Sequence, residues 1–328
     1  MSGRHNPITG RAAYAVALGF TRLVQFVPRK TALTIGSALG YLLWIILSLS
    51  GRGKVAVENM RNLYPDEDEG KLKAITRKMC LHYGGFVVDS LRLKILDKET
   101  AGHLVQFEGL EILKEASARG KGVILATAHS GFFEMANGAL ALLGFPVWSV
   151  IRTVDNQRID QMADECRTAT GLKVIKRERS AMEIIKRLRE GGVVTVAVDQ
   201  NAGFNNIFVP FFGKLCATVV TPAVASLRTG SAVIPFFSFH DKPTGAYTAK
   251  FWPQINIQPT GDRSADIRLI TMKINEALEE AIRHAPEQWL WFHKRWKTQP
   301  CEKDMEAIRR DMELISMSVK TVQAPVEQ

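Results

Sequence analysis

Two short runs, VILATA at Val123–Ala128 and VVTVAV at Val193–Val198, carry no charge and no regular alternation of apolar and polar residues. A strand with one face in water alternates, whereas one that stays apolar along its length is covered on both faces. Helices packed on either side of a mostly parallel sheet provide that cover. The intervening sequence agrees. Phe132–Leu143 reads as a helix, Val147–Ile151 as a strand, Arg158–Thr170 as a helix and Leu172–Ile175 as a third short strand. Ser180-Ala-Met-Glu183 has the spacing of a capping box, Met182, Ile185 and Leu188 form an apolar stripe, and Gly191-Gly192 supplies a stop. Val233–Phe239 and Tyr247–Phe251 add strands, and Ile267, Ile270, Ile274, Leu278 and Ile282 mark a long amphipathic helix. The expected fold is α/β: a largely parallel central sheet flanked by helices.

Ahead of this core, Thr31–Ser50 is a run of 20 residues without a charge, long enough to cross a hydrocarbon layer about 30 Å thick. It starts late, is long and lacks a clear small-residue cleavage site, unlike a signal peptide. Ala12–Val27 is also apolar but is interrupted by Arg22 and Gln25, which suits a helix lying among headgroups. Basic residues stand on both sides of the charge-free run (Arg22, Arg29 and Lys30 before it, Arg52 and Lys54 after it), so charge asymmetry assigns no orientation. The competing reading is a buried helix of a soluble core. Residues 1–52 are thus expected to be membrane-associated helices, 53–300 the catalytic domain, and 301–328 a peripheral helix with a polar tail. From Lys54 to Lys94 the pattern is polar and helical, with a turn at Tyr64-Pro65 and acids, Asp66 to Glu69, that can open the next helix.

The net charge of +10 attracts anionic partners: nucleic acid, anionic headgroups or an acidic carrier protein. Cys80, Cys166, Cys216 and Cys301 lie far apart with no C-x-x-C pair, so no zinc site or disulfide framework is expected, and reduced thiols fit a cytosolic setting.

The sharpest local feature is His129-Ser-Gly-Phe-Phe-Glu134, which follows directly on the first apolar strand. In open α/β sheets ligands bind beyond the carboxyl ends of the strands. With His129 in the turn and Glu134 in the opening turns of a helix begun at Ser130 or Gly131, the carboxylate can hold one imidazole nitrogen. The other nitrogen is then free to accept a proton from a hydroxyl. A histidine at a strand end is also an ordinary structural hydrogen-bonder. A second polar cluster, Asp199-Gln200-Asn201-Ala202-Gly203, follows the second apolar strand at the same sheet edge, which would bring Asp199 and Gln200 beside His129. Asp199 alternatively forms a turn or cap. Arg152, at the end of the next strand, and Arg167, on the following helix, can hold an oxyanion or a phosphate; Lys173, Lys176, Arg177 and Arg179 crowd the next connection.

Two further segments read ambiguously. Ile207-Phe-Val-Pro-Phe-Phe-Gly213 is an apolar loop that lines a hydrocarbon channel, dips into a bilayer, or packs into the core. Trp289, Trp291 and Trp296 among His293, Lys294, Arg295 and Lys297 have the composition of a membrane–water interface, or of a base-stacking surface. The charge-free N-terminal run favours the membrane.

Taken in order, the His129/Glu134 box, Val150-Ile-Arg152, Arg167, Val198-Asp-Gln-Asn-Ala-Gly203, Phe208-Val-Pro-Phe-Phe-Gly213 and Glu287-Gln-Trp-Leu-Trp291 resemble the late acyltransferases of lipid A biosynthesis. These are the lauroyl and myristoyl transferases of Gram-negative bacteria, within the lysophospholipid acyltransferase superfamily. The resemblance runs from the N-terminal apolar segment to about Lys297. It implies a glycerolipid-acyltransferase-like fold on the cytoplasmic side of the bacterial inner membrane, with inner-membrane phospholipid around it. It also implies an acyl carrier protein donor (or acyl-CoA), a phosphorylated glycolipid acceptor, and no cofactor or metal. Position by position, His129 and Glu134 match the catalytic pair, while Arg152, Arg167, Asp199 and Gln200 fall on substrate-binding positions. Mycobacterial mannoside acyltransferases and aminolipid acyltransferases share the same boxes, so the acceptor stays open.

The resulting expectation is direct acyl transfer with His129 as general base. A lipid ester or thioester hydrolase is the first rival, although no Gly-x-Ser-x-Gly elbow is present. A non-catalytic lipid-binding protein of the same fold is the second, and nucleic-acid binding rests on charge alone.

Overall fold

The computed structural model describes residues 7–203, 206–241 and 244–323; the polar tail beyond Gln323 lies outside the described residues. Helices α1 (Pro7–Phe26) and α2 (Arg29–Leu49) are separated at Pro28, and α3 (Gly53–Met60) and α4 (Glu69–Arg92) follow. Asp68 opens α4, its carboxylate accepting the N–H groups of Gly70 at 2.8 Å and Lys71 at 3.3 Å, the satisfaction a helix start requires. α2 runs antiparallel along α4 with almost no gap. A Cβ on Gly36 would lie 2.6 Å from the Gly84 carbonyl oxygen, and one on Gly40 2.3 Å from that of Cys80. Only small residues allow backbones this close.

After α5 (Lys98–Leu104), strands and helices alternate: β1 (Val105–Glu108), α6 (Leu110–Ala118), β2 (Val123–Thr127), α7 (Phe133–Leu142), β3 (Val147–Ile151), α8 (Gln157–Thr168), β4 (Lys173–Lys176), α9 (Ser180–Arg189) and β5 (Val193–Ala197). β6 (Ile207–Phe211) and β7 (Lys214–Thr218) form a separate antiparallel hairpin. Next come α10 (Thr221–Thr229), β8 (Ala232–His240), β9 (Tyr247–Phe251), α11 (Arg263–His284) and α12 (Glu302–Gln323). Seven strands make one sheet in the order β1-β9-β8-β2-β5-β3-β4; β9 is antiparallel to β8 and parallel to β1, and every other pairing is parallel. The largely parallel α/β architecture expected from the apolar runs is therefore present, with two strands reversed at one edge.

β2 is buried at all five positions. Val123 and Leu125 enter a core with Met135, Ala139 and Leu140 of α7, while Ile124 and Ala126 enter another with Ile184 and Leu188 of α9 and Ile270 and Ile274 of α11. Alternate side chains leave a strand on opposite faces, so covering both faces demanded the uninterrupted apolar run.

Three local expectations are corrected. Ser180 is not a cap: it has helical φ −72° and ψ −33°, because a 3-10 turn over Arg177–Arg179 already starts the helical path, and Glu183 pairs with Arg187 instead. The Ile207–Gly213 segment neither lines a hydrocarbon channel nor dips into a bilayer as a loop. It is mostly strand β6, and Phe208, Phe211 and Phe212 pack inward. Phe212 and Gly213, with φ of 47° and 73°, form the tight two-residue turn to β7. Trp289 and Trp291 are fully buried rather than interfacial; Trp289 stacks edge-on against Trp291 and Phe211, and Trp296 stacks on Phe211. Arg295, also fully buried, donates to the Ala217 carbonyl at 2.5 Å and to Thr218 Oγ1 at 2.7 Å. Composition alone does not say which face of such a segment is covered. α12 also does more than lie on the surface, since Asp311, fully buried, pairs with Arg268 of α11 at 2.9 Å.

Candidate active site

β2 and β5 are neighbours in register, Thr127 opposite Ala197. Two residues beyond each stand His129 and Asp199, side by side at the carboxyl edge of the sheet. Asp199 Oδ1 lies 2.8 Å from His129 Nδ1, and Asp199 Oδ2 accepts the His129 backbone N–H at 2.9 Å and the Trp289 indole N–H at 2.9 Å. Burial alone would raise the carboxyl pKa, but the imidazole, the backbone N–H and the indole together outweigh it and hold Asp199 well below the usual carboxylate range. An ionised carboxylate only accepts, so Nδ1 carries the proton and Nε2 is left with a lone pair. For the ring, burial pushes the pKa down, yet the charge and hydrogen bond of Asp199, followed by the charge of Glu134, turn the net shift upward.

The turn that presents His129 is fixed on every side. Its carbonyl accepts from the Tyr83 hydroxyl and, at 3.1 Å, from the Leu290 N–H. Ser130 pairs with Trp289 as an isolated antiparallel bridge, and the Gly131 N–H donates to the Gln288 carbonyl at 2.9 Å. His82 Nε2 lies 3.0 Å from the Gly131 carbonyl oxygen, and Phe132 N–H donates to Ser238 Oγ at 2.8 Å. Gly131 has φ +59°, and a Cβ there would fall 1.6 Å from the Ser238 carbonyl oxygen, so no other residue fits. α7 consequently starts at Phe133 rather than at Ser130 or Gly131, and Glu134 sits in its first turn, where the helix dipole favours an acid.

Glu134 does not hold the imidazole. Its Oε1 accepts both Arg167 Nε, at 3.0 Å, and Nη2, at 2.8 Å, while Oε2 is buried with no partner. The reason is geometric: α8 delivers Arg167 onto α7, whereas the strand beside β2 delivers Asp199 onto the ring. Burial lowers the Arg167 pKa, but Glu134 overcomes this and the net shift is upward. Arg167 also reaches Asp164 at 3.4 Å, and Lys176 binds Asp160 and Asp164 at 2.7 Å each.

His129, Glu134, Arg152, Arg167 and Gln200 line one cavity of about 540 Å³, while Asp199 lies behind the ring. The sequence-derived residues therefore converge, with Asp199 and not Glu134 as the carboxylate against the imidazole. Arg177, read only as part of a basic connection, joins Arg152 at this cavity; both are exposed, one just past β3 and the other just past β4. Position immediately after a parallel strand was the signal for it. Tyr83, Trp289 and Ser238 had no comparable sequence signal. Among the described residues, no three His, Cys, Asp or Glu side chains gather into a metal-ligating group.

Comparison with known proteins places the chain as a whole. The profile of the bacterial lipid A biosynthesis acyltransferases matches residues 4–298. A lipid A biosynthesis acyltransferase of Haemophilus influenzae is 24% identical over 287 residues, 87% of this chain and 88% of that protein. The lipid A biosynthesis lauroyltransferase of Escherichia coli is 25% identical, covering 87% of this chain and 91% of its own length, and the myristoyltransferase of the same organism is 25% identical, covering 74% of each. The match takes in α1, the whole seven-stranded sheet and the Trp289–Trp291 segment, and on that extent the chain belongs to the bacterial lipid A biosynthesis acyltransferase family.

Proposed function

We propose that this acyltransferase moves a fatty acyl group from the thioester of an acyl carrier protein to a hydroxyl of a lipid A precursor, on the cytoplasmic face of the inner membrane. The observation that carries the reading is the His129 ring, tethered through Nδ1 to an ionised Asp199 while the ring lines an open cavity. Its Nε2 takes the proton of the acceptor hydroxyl as the oxygen attacks the thioester carbonyl carbon. Asp199 and the more distant charge of Glu134 stabilise the imidazolium. Cavity donors such as Arg167 and Gln200 meet the oxyanion, the C–S bond breaks, and the leaving thiolate takes the proton back from the ring. Glu134 Oε2, which has no hydrogen-bond partner, is available to a polar group of the acceptor other than the reacting hydroxyl.

A carrier-protein donor is supported by charge. Carrier proteins of this kind are acidic, the chain is at +10, and exposed Arg152 and Arg177 stand at the cavity, an arrangement that speeds encounter with an anionic partner. The test is transfer from acyl carrier protein and from acyl-CoA to a lipid A precursor, scored for acylated lipid and free fatty acid. His129→Ala should lose about 10²–10⁴-fold in turnover while the protein stays folded, with a cooperative melting transition. Near-normal transfer by this variant would overturn the mechanism, and free fatty acid as the sole product would identify a hydrolase.

A further inference from the structure

α2 is long and apolar enough to cross a membrane, yet its packing argues against crossing. The helix is bound to α4 along most of its length: Arg29 pairs with Asp89 at 2.6 Å, Gly36 sits on Gly84, Gly40 on Cys80, and Trp44 lies under the Arg77 guanidinium at 6.0 Å. From Arg29 to Trp44 that is about 22 Å of shared length at 1.5 Å per residue. Placed across a hydrocarbon core about 30 Å thick, α2 would carry α4 in with it. α4 exposes Arg77 and Lys78 in this stretch. It also holds the active-site turn, through Tyr83 to the His129 carbonyl and His82 to the Gly131 carbonyl. Spanning would immerse ionised groups at a cost of several kcal/mol each and take the catalytic turn out of water.

The part of α2 that α4 leaves uncovered is apolar. Leu39, Leu42, Ile46 and Leu49 recur at intervals of three and four residues and are 45–83% exposed, and α1 adds Val16, Leu23 and Phe26 at 47–90%. Exposed bases flank the α2 stripe along the chain: Arg11, Arg22 and Lys30 before it, Arg52 and Lys54 after it. An apolar stripe with basic margins matches an anionic bilayer surface, with hydrocarbon under the stripe and phosphates at the margins. A water-soluble protein partner has no such need for cations at both borders.

We infer that α1 and α2 lie in a single leaflet as a monotopic anchor, so that both ends of α2 remain on one side of the membrane. The inference does not depend on the acyltransferase reading, because its test reads topology and not turnover. Arg11→Cys and Arg52→Cys are made separately in a Cys301→Ser background, since Cys301 is the exposed cysteine and Cys80, Cys166 and Cys216 are buried. Cells are treated with a membrane-impermeant maleimide before and after lysis. A monotopic anchor gives the same pattern for the two positions, both protected in intact cells or both labelled. Labelling of one and protection of the other would show a crossing and overturn the inference.

A second arm asks what covers the stripe. Purified wild type should float with vesicles of phosphatidylethanolamine and phosphatidylglycerol. Leu42→Glu/Ile46→Glu, changed only at exposed positions and checked for an unaltered melting temperature, should lose at least tenfold in the floated fraction. Equal flotation of the two proteins, or a wild type that stays in solution as a dimer which the variant disrupts, would also overturn it.

Discussion

Asp199 and Glu134 are both buried carboxylates whose charge is felt by the His129 ring, and their surroundings differ in kind. Asp199 is closed in: both oxygens accept hydrogen bonds, three in all, from the imidazole, the backbone and an indole. Glu134 is half open, with two guanidinium bonds on one oxygen and none on the other. A saturated carboxylate is fixed as an ion and fixes whatever it binds. One with a bare buried oxygen carries a desolvation cost that an arriving donor relieves. In the proposed mechanism the two acids divide the work, one holding the base and the other meeting the substrate.

The largest test of that division is Asp199→Asn. It should cost about 10²–10⁴-fold in kcat/KM, because the amide can present its NH2 to Nδ1 and turn the ring to the wrong tautomer. The sign of its pH effect is definite. The ring must be neutral to act as base, its pKa is raised mainly through Asp199 against the pull of burial, and activity falls as pH drops through that raised value. Removing the charge should move the acid limb to lower pH; a limb that stays in place or moves up would show that Asp199 does not set the ring's basicity.

Glu134→Gln comes next. Losing one charge-assisted hydrogen bond to substrate, ~1.5–3 kcal/mol, corresponds to about 10–100-fold. The loss should appear with the acceptor as varied substrate, and the acid limb should move less than in the Asp199 variant. If the two variants shift the limb equally, the contrast between the acids collapses. Trp289→Phe gives the smallest effect. It deletes one of three donors to Asp199 and keeps most of the packing, so roughly fivefold is expected from a bond worth ~1 kcal/mol, measured under single-turnover conditions.

How far this could be read from the chain depends on which physical rule governs each part. The strands of the sheet's centre were legible because double-sided burial forbids polar interruptions, and β3 and β9 match their expected bounds. β1, four residues with only Val105 buried at the edge of the sheet, offers no such pattern and went unread; α5, α6 and α10, at seven to nine residues, are too short for a firm period. In the site, closeness along the chain misled. Glu134 is five residues from His129, while Asp199 is seventy away but one strand over. That His129 and Asp199 each follow directly on an apolar run was visible in the sequence, and neighbouring strands in register convert it into contact. The tryptophan segment failed for a different reason: composition reports amphipathic side chains, not what lies against them.

The Arg268–Asp311 pair of α11 and α12 bears on any shortened version of this chain. The family match stops at residue 298, an inviting place to cut. Yet Arg268, 3% exposed, finds its counter-charge thirteen residues further on and also donates to the Phe208 carbonyl of the β6–β7 hairpin. Ending the protein at residue 300 would remove the counter-charge together with the helix that covers it, opening Arg268 and the face of α11 beneath α12 to water at a loss of stability. Thermal denaturation of the two lengths would measure it.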